Sequence, residues 1–298
     1  MTIYHSVGTF KGVGGLDLYY QSWNPEGKVR AILALVHGLG GHSGLYTNVI
    51  EYLLPKQYAI YGLDLRGHGQ SPGQRGYINT WAEFRDDVRA FLDMLQKQQP
   101  GCPIFLFGHS MGGMIVIEYV LRYPEDISAL QGVIAVAPSI GEVGVSPIRV
   151  LLGKMLSRLW PRFSLNTGLD TTAGSRDPKI LATYTQDNLR HTRATARFST
   201  EFFATLAWIN AHAHEWKIPL LILHGGADRV VLPSGSKSFY QLVNCPDKLR
   251  IEYPGAYHDL HCDINYDQVL TDLVNWMDQH LPIEVERLEP VMSNMDSA

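Results

Sequence analysis

The pentapeptide Gly108-His109-Ser110-Met111-Gly112 fits the pattern GxSxG, and it stands between the apolar run Pro103-Ile104-Phe105-Leu106-Phe107 and a helix-like run from Met114 to Leu121. Strand, sharp turn and helix in that order push a serine Oγ out at the top of a sheet. Glycine on either side of the serine lets backbone pass close by, where a Cβ would collide. In that setting Ser110 is a candidate nucleophile for acyl transfer. Without its strand and helix the same pattern would read as an ordinary glycine-serine loop.

A serine hydroxyl is a poor nucleophile until a base takes its proton, and the base needs a third group to orient it. Downstream, Pro219-Leu220-Leu221-Ile222-Leu223-His224-Gly225-Gly226-Ala227-Asp228 reads as a buried strand whose glycine turn delivers Asp228. A second run, Lys248 to Tyr253, ends in Pro254-Gly255-Ala256-Tyr257-His258 and delivers His258 on the next loop. Alone, each reads as a turn aspartate or a solvated loop histidine. In this order, each at a strand end, Ser110, Asp228 and His258 form a candidate triad. Asp64 is a rival acid because it follows the run Tyr58 to Leu63, but Asp64-Leu65-Arg66-Gly67-His68-Gly69 reads better as a loop fixed by local hydrogen bonds.

The oxyanion formed on attack needs two preorganised backbone N–H donors. Met111, first in the helix after the serine, is one candidate. Leu39, in the glycine-rich loop Val36-His37-Gly38-Leu39-Gly40-Gly41, is the other. His37 and His109 are expected to brace these loops through side-chain hydrogen bonds rather than act as bases.

Other chemistries fail on spacing. There is no HExxH motif, and His212 and His214 before Glu215 lack the i, i+4 geometry of a helical zinc pair. Walker A and GxGxxG patterns are absent, so the reading calls for no nucleotide, metal or other cofactor. At 45% apolar and 18% charged residues the composition is that of a globular protein, and a net charge of -4 gives no basic surface for nucleic acid. A small molecule, a lipid or an ester, is the expected partner. Cys102, Cys245 and Cys262 are too few and too scattered for a disulfide framework or paired metal ligands, and are expected to be reduced thiols. Met1 to Gly15 shows no charged segment leading into an apolar core, and no apolar run approaches membrane-spanning length. The expectation is a cytoplasmic protein.

The elements that must position these residues follow from periodicity. Short apolar runs recur at Leu16 to Ser22, Ala31 to Val36, Tyr58 to Leu63, Pro103 to Phe107, Gly132 to Ala137, Pro219 to Leu223 and Lys248 to Tyr253. From Ala31 onward they are mostly continuous, as in parallel strands buried on both faces. Between them lie helical patterns, clearest in the stripe Trp81, Phe84, Val88, Phe91, Leu92 and Leu95, with Thr80 and Glu83 in capping-box spacing before it. Alternating strands and helices imply an α/β fold with a mostly parallel, doubly wound sheet.

The alternation stops after Pro138. From Gly141 to about Trp216 no run reads as a sheet strand, and the amphipathic piece Ile148, Leu151, Leu152, Met155, Leu156, Leu159 and Trp160 reads as helix. The expected organisation is a core of residues 1–140 and 217–282, a helical cap over 141–216, and a frayed polar tail over 283–298. A cap inserted there starts at the carboxyl edge of the sheet, where α/β proteins build ligand sites. The stripe serves either a helix packed on its own domain or a lipid-facing surface, with Arg149, Lys154 and Arg158 on its other side suited to water or to a membrane interface.

Together, His37-Gly38-Leu39-Gly40, Asp64-Leu65-Arg66-Gly67-His68-Gly69-Gln70-Ser71, Gly108 to Gly113, Gly226-Ala227-Asp228 and Gly255-Ala256-Tyr257-His258-Asp259-Leu260-His261 resemble the monoacylglycerol lipase and lysophospholipase group of serine hydrolases. Ser175-Arg176-Asp177-Pro178 and Tyr184 through Leu189 resemble that group's cap, so the likeness runs from about His37 to His280. The resemblance implies an α/β-hydrolase fold, in which nucleophile, acid and histidine follow one another along the chain. It implies hydrolysis of single-chain acyl esters, an apolar tunnel under the cap and possible peripheral contact with membranes through the cap. It also implies substrate-binding roles for His261 and Tyr184. Mammalian members carry a Glu and an Arg in the HGxGxHSGxY segment that hold the glycerol head group; the matching positions here are Gly41 and Leu45. That departure leaves a broader carboxylesterase or lysophospholipase as the alternative to a monoacylglycerol lipase. A non-catalytic, apolar-ligand-binding protein of the same fold would lack a member of the triad, and none is missing.

Overall fold

The structure is a computed structural model of the chain, and it describes residues 3–141, 147–168 and 170–282, with the backbone alone at 147–150 and 171. The expected tail over 283–298 lies outside the described residues, as do the side chains of Ile148 and Arg149.

Ten strands occur among the described residues: β1 (Tyr4–Lys11), β2 (Asp17–Asn24), β3 (Ala31–Val36), β4 (Tyr58–Leu63), β5 (Ile104–His109), β6 (Leu130–Val136), β7 (Ser164–Asn166), β8 (Arg193–Thr195), β9 (Leu220–Gly225) and β10 (Lys248–Tyr253). Eight of them form one sheet in the order β1-β2-β4-β3-β5-β6-β9-β10. It is parallel from β4 to β10, while β2 joins β1 and β4 antiparallel. This is the mostly parallel, doubly wound α/β sheet that the alternation predicts. Strand β1 carries no apolar run because only Phe10 of it is buried; backbone pairing to β2 along its whole length holds it at the sheet edge.

Helices α1 (Thr47–Leu53), α2 (Ala82–Gln98), α3 (Met111–Arg122), α4 (Pro147–Leu159), α5 (Pro178–Gln186), α6 (Ala196–His212), α7 (Pro233–Leu242) and α8 (Tyr266–Gln279) complete the architecture. Strand residues alternate between the two faces of the sheet. On β3, Ile32, Ala34 and Val36 join the core under α2, α3 and α7. The intervening Ala31, Leu33 and Leu35 join the core under α1 and α8. Burial on both faces is what made these runs continuous rather than alternating. The stripe from Trp81 to Leu95 is buried along α2 as expected. Its start differs: the Thr80 side chain makes no cap, and Glu83 instead accepts a hydrogen bond from the Asn79 N–H at 2.8 Å while its other oxygen pairs with Arg66 at 3.0 Å.

The segment between β6 and β9 adds nothing to the large sheet. It holds α4, α5 and α6, but also β7 and β8, which pair antiparallel with each other through Leu165 and Ala194. No strand was expected here, since three-residue strands are too short to show periodicity. Ser175-Arg176-Asp177-Pro178 ties the segment down. Ser175 Oγ donates to the Cys262 carbonyl at 3.1 Å, and Arg176 Nε pairs with buried Asp263 at 2.8 Å. Asp177 caps α5 by accepting from the Lys179 N–H, and Pro178 begins the helix. Among the described residues no helix is long and apolar enough to cross a membrane.

Candidate active site

Because β3, β5, β6, β9 and β10 run parallel, their carboxyl ends share one edge. Ser110 sits at that edge between β5 and α3 with φ 56° and ψ -119°, a left-handed backbone that is costly for a side chain. The flanking glycines make the turn possible. A Cβ on Gly108 would lie 2.4 Å from the Gly112 carbonyl oxygen, and one on Gly112 would lie 2.2 Å from the Val36 carbonyl oxygen.

The turn places Ser110 Oγ 2.9 Å from His258 Nε2, and His258 Nδ1–H donates to Asp228 Oδ2 at 2.7 Å. The other oxygen of Asp228 accepts from the N–H groups of Val230 and Val231 at 2.8 and 2.9 Å. Burial works against ionising Asp228, but hydrogen bonds from His224 and His258 and the nearby imidazole charge outweigh it and hold the acid well below its usual range. Burial likewise pulls His258 down, while the Asp228 carboxylate more than compensates and leaves the imidazole above its ordinary 6.5.

Met111 begins α3, so its N–H is one of the first-turn donors that have no partner within the helix. Leu39 lies in the loop after β3, lines the cavity beside Ser110, and follows Gly38, where a Cβ would come within 3.0 Å of the serine Cβ. The two candidate oxyanion donors therefore flank the nucleophile. Asp64, the rival acid, is spent elsewhere. It accepts from the Ser43 N–H and hydroxyl at 2.7 and 2.6 Å and from the Gln70 N–H at 2.8 Å, holding two loops together.

The bracing histidines are neutral. His37 Nδ1–H donates to the Gly38 carbonyl at 2.7 Å while its Nε2 accepts from the Leu65 N–H at 3.0 Å, and burial pushes its pKa down to about 4. His109 accepts from the Tyr46 hydroxyl at 3.2 Å and donates to the backbone carbonyl of His258 at 3.3 Å. It thus supports the loop carrying the base. Among the described residues, His109, His258 and Asp259 bring candidate metal-ligand atoms within 4.8 Å of one another. Both ring nitrogens of His258 already serve Asp228 and Ser110, so an ion held there would displace one of those hydrogen bonds.

Two cavities meet at Ser110. One, about 420 Å³, is lined by Leu39, Met111, Phe198, Phe202, Phe203 and Leu232. It shares Thr167, Ala194, Ser199 and Phe203 with an outer groove of about 630 Å³ between α4 and α6. The second cavity, about 100 Å³, is lined by Gly41 and Leu45 and by the polar-tipped side chains of Tyr184, Arg190, Asp259 and His261. All four sequence-derived substrate positions, Gly41, Leu45, Tyr184 and His261, line it. Arg190 and Asp259 were not anticipated. The segment containing Arg190 has no regular periodicity, and Asp259 is hidden by its neighbour His258 in a motif whose other members draw attention.

The chain matches Hydrolase_4, described as serine aminopeptidase, S33, over residues 27–265. It is 33% identical to the monoacylglycerol lipase of Mycolicibacterium smegmatis over 278 residues, covering 93% of this chain and 98% of that protein. It is 29% identical to the monoglyceride lipase of Homo sapiens over 282 residues, 93% of this chain and 91% of that one. Among solved structures, the Paleococcus ferrophilus monoacylglycerol lipase superposes with a TM-score of 0.78 at 32% identity, covering 94% of this chain and all of that one. By its sheet, its nucleophile turn and these matches, the chain belongs to the Hydrolase_4 family of serine hydrolases and has the α/β-hydrolase fold.

Proposed function

We propose that the chain is a serine ester hydrolase acting on monoacylglycerols, with Ser110 as nucleophile, His258 as general base and then acid, and Asp228 as the group that orients the imidazole. The observation that carries this reading is the hydrogen-bonded series Asp228, His258, Ser110 opening between an apolar cavity and a smaller one that holds polar side chains. Ser110 Oγ loses its proton to His258 Nε2 as it attacks the acyl carbonyl. The N–H groups of Leu39 and Met111 receive the oxyanion. His258 returns the proton to the departing alcohol, and water then releases the fatty acid from Ser110 by the reverse sequence. The acyl chain occupies the apolar cavity and the alcohol the smaller one. Residues 141–216 act as the cap over both.

The exposed apolar face of α4 supports a further part of this reading. Leu151, Leu152, Met155 and Leu159 are all more than half exposed, and Trp160 at the end of α4 joins them. Such a patch suits a cap that touches a membrane surface, with the protein otherwise cytoplasmic.

Ser110→Ala is expected to abolish both fluorophosphonate labelling and monoacylglycerol hydrolysis. Retained labelling and turnover in that variant would overturn the assignment.

A further inference from the structure

We propose that Arg190, delivered by the cap, binds the hydroxyl groups of the leaving alcohol and makes the site selective for acyl esters of a small neutral polyol. The inference rests on the monoacylglycerol reading above and names a residue of its specificity. Three residues that line the smaller cavity each hold a buried side-chain nitrogen with no hydrogen-bond partner among the described residues: Arg190 Nη1, His191 Nε2 and His261 Nδ1. A buried polar nitrogen left unmatched is costly, so three of them on residues around one cavity point to a ligand that would match them. The loop after β3 offers little there, since Gly41 and Leu45 have no polar side-chain atom and Leu45 Cδ1 would lie 3.3 Å from a Cβ on Gly41.

Arg190 is held in place from its own segment. Its Cζ lies 3.8 Å from the centroid of the Tyr184 ring, and its N–H donates to the Asp187 carbonyl at 3.2 Å. Asp187 in turn takes a 2.6 Å contact from His42 Nε2 on the core, and the next residue, His191, donates its N–H to the Gly40 carbonyl at 3.1 Å. The guanidinium therefore reaches the cavity only while this part of the cap is docked on the core.

The charge around it argues for a neutral alcohol. Asp259 is buried in the same cavity and is stabilised as a carboxylate in part by the Arg190 charge, while Asp170 on the lining is paired with Arg229 at 3.9 Å. The imidazole of His261 is neutral, burial having pushed its pKa down to about 4. A phosphate would meet the buried Asp259 carboxylate beside a guanidinium already offset by it, whereas a hydroxyl can accept from Arg190 and exchange a hydrogen bond with His261. The size agrees, because this cavity of about 100 Å³ is roughly a quarter of its 420 Å³ apolar neighbour.

The test compares kcat/KM for a 1-monoacylglycerol, the methyl ester of the same acyl chain and the corresponding 1-acylglycerol 3-phosphate in one detergent. Ratios between substrates within a single preparation cancel any loss of correctly folded enzyme. The unaltered protein is expected to prefer the monoacylglycerol to both other esters. In Arg190→Ala the monoacylglycerol to methyl ester ratio should fall about tenfold or more, chiefly through KM, and Arg190→Lys should restore part of it. An unchanged ratio in Arg190→Ala, or faster cleavage of the phosphate-bearing ester by the unaltered protein, overturns the role of Arg190. If the unaltered protein itself shows no preference for the monoacylglycerol over the methyl ester, the substrate reading fails first, and the role of Arg190 with it.

Discussion

Ser110 and His258 are separated by 148 residues and His258 and Asp228 by 30, yet the proposed proton path between them spans two hydrogen bonds of 2.9 and 2.7 Å. Their residue types, order and position after apolar runs were legible because each chemistry leaves a local mark: glycines about a strained serine, a glycine turn before an acid, a loop histidine after a strand. Arg190 and Asp259 left none, since their importance comes from which cavity they face. The electrostatics make a pH prediction at this scale. The carboxylate of Asp228 holds His258 above 6.5, so the protonated, inactive imidazole persists to higher pH than in a free histidine. The acid limb of kcat/KM for a soluble ester should therefore fall above pH 6.5, with activity gained as pH rises through it. In Asp228→Asn the stabilising charge is gone while burial remains. The limb should move to lower pH and kcat should drop by about 10⁴-fold. A pH-rate profile of the two proteins decides this, and an unmoved limb would count against the role of Asp228.

Helix α4 shows how an element's pattern leaves its use open. The apolar residues between Leu151 and Trp160 are compatible with packing inward or facing out, because periodicity reports one-sidedness and not what covers the side. The structure turns Leu156 and Ser157 toward the rest of the segment, Ser157 Oγ meeting Thr200 Oγ1 at 2.9 Å, and leaves Leu151, Leu152, Met155 and Leu159 exposed. Replacing Leu152, Met155 and Leu159 together by serine should weaken binding to lipid vesicles by about tenfold or more, given the apolar area withdrawn. Turnover of a short soluble ester should stay within about twofold, since none of these side chains lines the cavities at Ser110. Vesicle co-sedimentation alongside a soluble-ester assay separates the two. Equal losses in both would argue that this face supports the fold of the cap instead. The strands behave differently: β3, β4 and β10 have the ends their apolar runs predicted, while β7, β8 and β1 were invisible for want of length or of a buried face.

Distant segments of the whole molecule are joined by buried polar links. Asp87 on α2 is fully buried and accepts from Arg66 Nε at 2.6 Å, from Arg66 Nη2 at 2.8 Å and from the Val13 N–H at 2.9 Å. The same guanidinium donates to the Val13 carbonyl at 3.1 Å. One carboxylate thus connects the N-terminal hairpin, the loop after β4 and the helix beneath them. Asp87→Ala would leave Arg66 with Glu83 as its one carboxylate partner among the described residues, and should cost about 3 kcal/mol. A thermal melt should show a fall in Tm of about 5–10 °C. A shift below 1 °C would mean that the loop and hairpin are held without this pair.

The sequence by itself determined the chemistry and the class of fold. Acyl transfer needs a serine that can stand in a strained turn, and buried parallel strands need continuous apolar runs; both requirements act on residues near one another in the chain, so both can be read from it. Only the tertiary structure decided which side chains share a cavity. Arg66 was placed in a loop by its neighbours, but its partner Asp87 lies 21 residues away on a helix. The proposed cap was expected from a break in alternation, but the meeting of Arg190, His261 and Leu45 depends on how that segment lies at the carboxyl edge of the sheet. Contacts between residues far apart in the chain carry no period and no spacing, and the proposed selection of substrate rests on them.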